Sequence, residues 1–162
     1  MTTWAVVGIV LVLLVVLWLR SRVVYVNVVG TSMQPTFEDG DRLVARRLRA
    51  SHVRTGDVVV VDSPRPKLEH LTAKHHTKTP IVARELVYAP PQAKGPYWVI
   101  KRIAAMPGEP VPAVMAGITG EDVVPPGSVV VLGDNLEHSI DSRHHGFLPL
   151  GKVLAKVTRR RA

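Results

Sequence analysis

Apolar positions in this chain fall into one long block and several short ones. From Trp4 to Leu19, sixteen consecutive residues carry neither charge nor strong polarity, and Arg20-Ser21-Arg22 ends the run. A helix of that length covers about 24 Å, slightly less than a hydrocarbon core of about 30 Å. Trp4 and Trp18 stand at its two ends, where indole rings suit a membrane interface. Neither Met1-Thr2-Thr3 nor the residues after Arg20 supply the basic start and small-x-small cleavage site of a removable signal peptide. The run therefore predicts an uncleaved, single-pass membrane anchor over residues 1–22.

The remaining apolar blocks are short, β-branched and bounded by turn residues, the pattern of strands. Val23–Val29 leads into Gly30. Glu38-Asp39-Gly40-Asp41 precedes a second strand, Arg42–Leu48, and Thr55-Gly56-Asp57 precedes a third, Val58–Asp62. Four consecutive valines in that third strand predict burial on both faces. Tyr97–Ile103, Ser128–Leu132 and Gly151–Thr158 complete the set. Between them, residues 63–96 hold six prolines, several lysines and His70, His75 and His76, which reads as an irregular insertion with one strand at Ile81–Tyr88. The pattern predicts one mainly β domain over residues 23–162, a β-barrel or curled sheet, behind one N-terminal transmembrane helix.

Composition narrows the picture. Apolar residues make up 46 per cent of the 162, enough for a packed core. With no cysteine, disulfide frameworks and thiolate metal sites are excluded. The net charge of +8 favours an anionic membrane surface as neighbour; sparse aromatics and the lack of a base-reading module argue against nucleic acid. Arg20 and Arg22 follow the apolar run, and the positive-inside tendency alone would leave the β domain in the cytoplasm.

Candidate chemistry begins at Lys101. Period-two alternation puts it on one strand face between Val99 and Ile103, a poor place for a solvated ammonium. Burial disfavours the charged form of a lysine, and a neutral amine can take the proton of a serine hydroxyl. Ser32, in Gly30-Thr31-Ser32-Met33-Gln34-Pro35-Thr36, is the serine to pair with it. Gly30 allows unusual backbone angles, Pro35 stiffens the chain, and such a turn can present free N–H groups as an oxyanion hole. The loop Leu132–Arg143 is denser in polar residues than a connector needs. Its residue types allow an Asp141–Arg143 ion pair that fixes the loop and a Ser139 hydroxyl that orients a neutral amine; an Asx-type turn with solvated charges is the alternative. His75-His76 and His144-His145 lack metal-ligand spacing, so no metal or other cofactor is expected. A Ser-His-Asp triad using His138 or His144 stays open, with nothing in the spacing to single out either.

These segments, with Gly40-Asp41-Arg42, Gly56-Asp57-Val58-Val59, Lys101-Arg102-Ile103, Pro107-Gly108-Glu109 and Gly133-Asp134-Asn135 through Ser139-x-Asp141-Ser142-Arg143, occur in the order found in one family. From about Val26 to Lys156 the chain resembles the type I signal peptidases of the serine–lysine (S26) family, in their compact bacterial and mitochondrial inner-membrane form. The resemblance implies a signal-peptidase-type β fold and a membrane-anchored serine endopeptidase. Ser32 would be the nucleophile and Lys101 the general base; Ser139 would hold the lysine amine, and Asp141 and Arg143 would brace that loop. The Ser32 N–H would form part of the oxyanion hole. Some members carry a serine hydroxyl at the position of Gly30, so here a second donor at that place would be backbone or water. Val28, Met33 and Ile100 would line shallow apolar subsites for small side chains. The implied partners are precursor proteins with signal peptides and the lipid bilayer, at the cytoplasmic (inner) membrane with the catalytic domain on its outer face. Rival readings are a dedicated maturation protease for one partner, such as a nickel superoxide dismutase precursor, and a self-cleaving protein, for which no Ala-Gly-type linker site is evident. A catalytically silent, membrane-tethered basic binding module is the rival from another class.

Overall fold

The computed structural model describes residues 2–47, 52–64 and 97–160. The strand expected at Ile81–Tyr88, with His70, His75 and His76, lies outside the described residues. The chain opens with helix α1, Thr2–Ser21, whose 20 residues correspond to about 30 Å of axial length. Side-chain surroundings along α1 are described for residues 7–15 and 18, all of them exposed. Among the described residues no helix is long and apolar enough to cross a membrane.

The rest is mainly β. The described strands are β1 (Val23–Asn27), β2 (Arg42–Arg47), β3 (Val58–Asp62), β4 (Trp98–Ala105), β5 (Ser128–Leu132), β6 (Leu148–Pro149) and β7 (Val153–Arg160). They form one sheet in the order β1-β2-β7-β3-β4-β5-β6, with every pairing antiparallel. The last long strand thus inserts between β2 and β3, joining the first hairpin to the rest of the sheet. A single-turn helix α2, Ser142–His145, lies between β5 and β6.

Both faces of the central strands are buried, as the valine run predicts. Val59 and Val61 point into one core cluster with Val53, Ile103, Val129, Val131, Leu148 and Val153. Val60 points into a second with Val28, Met33, Leu43, Ala45, Ile100 and Ala155. Each buried valine or isoleucine stabilises the fold by about 1.5–3 kcal/mol relative to exposure. A third cluster, Ala105, Met115, Val124 and Val130, extends the core beneath the turns after β4.

Several strand limits differ from the sequence reading: β1 ends at Asn27 rather than Val29, and β4 starts at Trp98 rather than Tyr97. β4 continues to Ala105, because Ala105 pairs with Val130 past a register shift, and it stops where Pro107 disfavours further strand. β7 starts at Val153 rather than Gly151: Pro149 introduces a 3-10 turn over Leu150–Lys152 first. At its other end β7 runs on to Arg160, where Leu43 of β2 is its partner.

Candidate active site

Ser32 lies in the turn between β1 and β2. The base of this turn is closed by Val28 N–H donating to the Asp41 carbonyl at 2.8 Å and Gly40 N–H donating to the Val28 carbonyl at 3.0 Å. Gly30 adopts φ +89°, a conformation open to glycine and strained for other residues, which redirects the chain toward Ser32. Met33, 1 % exposed, plugs the turn into the core beside Val28 and Ile100, so the three residues expected to line apolar subsites do share one cluster.

Lys101 stands on β4 directly across from Val59 of β3. On its other side the β5 ladder has already ended, since Leu132 pairs with Arg102 and β5 stops there. The loop after β5 takes the vacated place. Lys101 is 1 % exposed and Ser32 7 %, and Lys101 Nζ donates to Ser32 Oγ at 2.9 Å. Alternation and apolar flanks predicted a sheltered amine; the fold supplies one, with the hydroxyl in bonding reach.

The loop from Gly133 to Gly146 packs on this pair. Asn135 N–H donates to the Ser32 carbonyl at 3.0 Å. Gly133 touches both sides of the site: a Cβ there would fall 2.6 Å from the Ser32 carbonyl oxygen and closer still to the Ser139 side chain. Asp141, with a side chain fully removed from solvent, accepts from Arg143 Nε at 2.9 Å, from an Arg143 terminal nitrogen at 2.9 Å and from Gly133 N–H at 3.0 Å. Arg143 also reaches the Ser139 carbonyl at 3.2 Å. Asp141 caps α2 through the Arg143 N–H at 3.2 Å, and Ser142 Oγ accepts the Val131 N–H of β5 at 3.0 Å. Burial opposes ionisation of Asp141, but the Arg143 guanidinium and the Gly133 N–H outweigh it and hold the carboxyl below its ordinary range. The expected loop-fixing pair is thus present.

Two placements bear on the expected roles. Ser139 is buried beside the site, and its hydroxyl makes no hydrogen bond among the described residues. It is turned against Gly133 instead, near enough to Asp141 to help stabilise that carboxylate yet outside bonding geometry. Gly30 is also not a free backbone donor: its N–H is committed to Asp39 Oδ1 at 2.9 Å. The Ser32 N–H donates to no group among the described residues.

One feature of the site escaped the reading of single residues. Arg102, on the strand face opposite Lys101, donates to Asp134 through Nε at 2.8 Å and through a terminal nitrogen at 2.6 Å, a bidentate clamp. Its remaining nitrogen donates to the Gly56 carbonyl at 2.8 Å, and Thr36 Oγ1 donates to Asp134 Oδ2. Burial raises the Asp134 carboxyl, but the Arg102 and Thr36 hydrogen bonds, with the charges of Arg102 and Lys101, bring it below its usual range. The signal lay in an arginine directly after the sheltered lysine and an aspartate directly after the loop's first glycine.

Of the described histidines, His138 Nδ1 lies 3.1 Å from Asn135 Oδ1, and His144 Nδ1 accepts from the Asp141 N–H at 3.4 Å and lies 4.0 Å from Asp141 Oδ1. Among the described residues no group of three or more potential metal ligands occurs.

The mainly β scaffold agrees with the family that sequence comparison finds. The family model described as signal peptidase, peptidase S26 matches residues 1–119 and 112–160. Mitochondrial inner membrane protease subunit 1 of Schizosaccharomyces pombe is 31 % identical over 137 residues, covering 81 % of this chain and 68 % of that protein. Signal peptidase I V of Bacillus subtilis is 29 % identical over 153 residues, 88 % of each chain. Signal peptidase I of Bacillus caldolyticus reaches 50 % identity over a shorter stretch of 40 residues, 25 % of this chain and 22 % of that one. With a family match running through almost the whole sequence, the chain belongs to the S26 signal peptidase family of peptidases.

Proposed function

We propose that this protein is a membrane-anchored serine endopeptidase that cleaves signal peptides from exported precursors, with Ser32 as nucleophile and Lys101 as general base. The single observation that carries the reading is the 2.9 Å separation between the buried Lys101 Nζ and Ser32 Oγ. Hydrogens are a matter of protonation state, and the same separation serves a hydroxyl donating to a neutral amine.

In the first step the Ser32 proton passes to Lys101 Nζ as Ser32 Oγ bonds to the scissile carbonyl carbon. Collapse of the tetrahedral adduct breaks the C–N bond, and the lysine proton goes to the leaving amine, which becomes the new N-terminus of the mature protein. Water then gives a proton to Lys101 and its oxygen to the acyl carbon; as the acyl C–Oγ bond breaks, Lys101 returns that proton to Ser32 Oγ, which frees Ser32 and the signal peptide. The Ser32 N–H is the backbone donor for the developing oxyanion. Val28, Met33 and Ile100 shape the subsites for small residues before the cut; apolar walls that are already filled have no room for long or charged side chains.

Residues 1–22 are proposed as the anchor and residues 23–162 as the peptidase domain, interrupted by an insertion at 63–96. The length of α1, its apolar sequence, and an Arg22 guanidinium 4.8 Å from the centre of the Trp18 ring support an interfacial boundary near Ser21. The domain is assigned to the outer face of the cytoplasmic membrane, where precursors present their cleavage sites. A single cysteine introduced at exposed Glu121 should react with a membrane-impermeant maleimide in intact cells; labelling only after lysis reverses the orientation.

The activity test uses the full chain in detergent and a precursor carrying an Ala-x-Ala site. Cleavage should occur at that site and disappear in both Ser32→Ala and Lys101→Ala. Undiminished turnover in either variant removes the dyad.

A further inference from the structure

We propose that the end of the β1–β2 hairpin next to α1 is a docking surface for anionic lipid headgroups, with Arg22, Arg46 and Arg47 as its cationic contacts. The inference deepens the membrane reading and rests on α1 as the anchor.

Strand register builds the surface. Val23 stands opposite Arg46 in the β1–β2 ladder, and Arg47 N–H donates to the Arg22 carbonyl at 2.8 Å, which extends that register by one pair. Arg22 is thus directly opposite Arg47 on one face of the hairpin. Arg46 lies on the other face, between Val23 and Lys156 of β7. All three arginines are exposed. Like charges directly opposite one another destabilise a ladder unless a counter-charge joins them. Among the described residues no carboxylate pairs with Arg22, Arg46 or Arg47. The acids nearest in register are taken: Asp57 pairs with Lys156 at 2.7 Å and Asp62 with Lys152 at 2.6 Å. The hairpin's own acids, Glu38, Asp39 and Asp41, sit in the turn at its opposite end, where Asp41 pairs with Arg160.

The hairpin is therefore electrically polarised, and its basic end is the one that joins α1. Helix α1 ends at Ser21, and Arg22 follows at once, its guanidinium 4.8 Å from the centre of the exposed Trp18 ring. An indole and a guanidinium side by side suit the boundary between acyl chains and headgroups. The same end of the sheet carries a second exposed indole, Trp98, which opens β4 opposite Asp62. With arginines on both faces of the hairpin, its end makes the contact rather than either face. A lipid phosphate seated there turns the repulsion between Arg22 and Arg47 into a shared attraction. Each basic residue held near an anionic bilayer strengthens that attraction about fivefold. The contact is the same in either leaflet, so it is separate from the orientation of the domain.

The test follows thermal unfolding of the full chain in neutral detergent micelles. To these is added phosphatidylglycerol, phosphatidylcholine or inorganic phosphate alone. A ligand that binds only the folded chain raises the midpoint. Phosphatidylglycerol should raise it saturably, and the other two should leave it near the lipid-free value. The phosphatidylglycerol concentration at half effect should increase about fivefold in Arg46→Gln or Arg47→Gln and about 25-fold in the double variant. Arg47→Lys, which keeps the charge, should stay close to the wild type. Arg42→Gln is the control for net charge: Arg42 opens the same strand about 17 Å from Arg47, beyond a Debye length, and its loss should change nothing.

An equal response to phosphatidylcholine, an equal response to inorganic phosphate, or an equal weakening in Arg42→Gln overturns the proposal. These outcomes assign the effect to acyl chains, to free phosphate and to overall charge, respectively. If one arginine variant fails to fold, the other decides. Flotation of the full chain with neutral vesicles reports on the anchor separately. A chain that does not float removes the reading on which the inference rests; one that floats but ignores phosphatidylglycerol refutes the docking surface alone.

Discussion

The ion pairs of this molecule divide by place. Along β7 and the turn before it, Lys152 pairs with Asp62 at 2.6 Å, Lys156 with Asp57 at 2.7 Å and Arg160 with Asp41 at 2.5 Å, tying the last strand to the ends of its neighbours. In the loop after β5, Arg143 pairs with Asp141 at 2.9 Å. Distances hardly separate the two groups, and burial does. The Lys152 side chain keeps 51 % of its exposure and Arg160 53 %, whereas Asp141 keeps none and Arg143 17 %. An exposed pair contributes about 0–1 kcal/mol, because water solvates both charges nearly as well apart. A buried pair contributes little beyond its own desolvation cost, yet losing one partner costs about 3–5 kcal/mol by stranding the other. The β7 pairs are therefore tolerant trim on a strand already held by its ladders, and the Asp141–Arg143 pair is a constraint that fixes one loop in one shape.

The largest expected effect follows from stranding Arg143. Asp141→Ala should lower stability by about 3–5 kcal/mol in urea unfolding, and it removes the acceptor that holds Gly133 N–H and caps α2. A loss under 1 kcal/mol would put the pair in the same class as those on β7. Next comes Gly133→Ala. The added methyl meets the Ser32 carbonyl and the Ser139 side chain, so either the loop or the nucleophile must shift. Overpacking of this kind costs about 1–3 kcal/mol, and a displacement near 1 Å at reacting groups lowers turnover by about 100-fold. Activity should thus fall much further than stability; a proportional decline would mean that the loop alone gives way.

What was legible in the sequence divides along similar lines. The valine run of β3, the alternation around Lys101 and the Gly30–Thr36 turn are local patterns, and each predicted its element because burial on a strand is written in neighbouring residues. The Asp141–Arg143 pair could be anticipated for the same reason, being two positions apart. Arg102, Asp134 and Thr36 could not, since their contacts join positions 32 to 98 residues distant and exist only once β4, the loop after β5 and the β1–β2 turn have met. The hydroxyl of Ser139 shows a further limit: its place beside the site was readable from the motif, but its direction is set by contact with Gly133, which no spacing reveals.

Acidification offers a sharper separation of the two kinds of pair. The Asp141 carboxyl is held below its ordinary range when folded, so its ionised form stabilises the native state. That contribution is fully present above the unfolded value of about 3.9 and is lost as pH falls through the lower folded value. Between about pH 5 and pH 3 the urea midpoint of the wild type should therefore decline, and Asp141→Asn should show a shallower decline over the same interval. Identical slopes would mean that other carboxylates carry the acid response.

The smallest effect tests the exposed side of the comparison. Lys152→Met removes the charge of the most accessible lysine pair of this group, just before β7, while keeping most of its apolar stem. Stability should change by less than about 1 kcal/mol, and about 1 M salt should erase most of the difference because the Debye length then shrinks to about 3 Å. Precursor cleavage should be unchanged, since Lys152 lies in the turn just before β7, which is separated from the Lys101 strand by β3. A larger, salt-resistant loss would show that the pair works as part of a network along β7 with Asp57–Lys156 and Asp41–Arg160. In that case the strand that joins the two halves of the sheet depends on its charges as well as its ladders, and the division by burial would have to give way to one by connectivity.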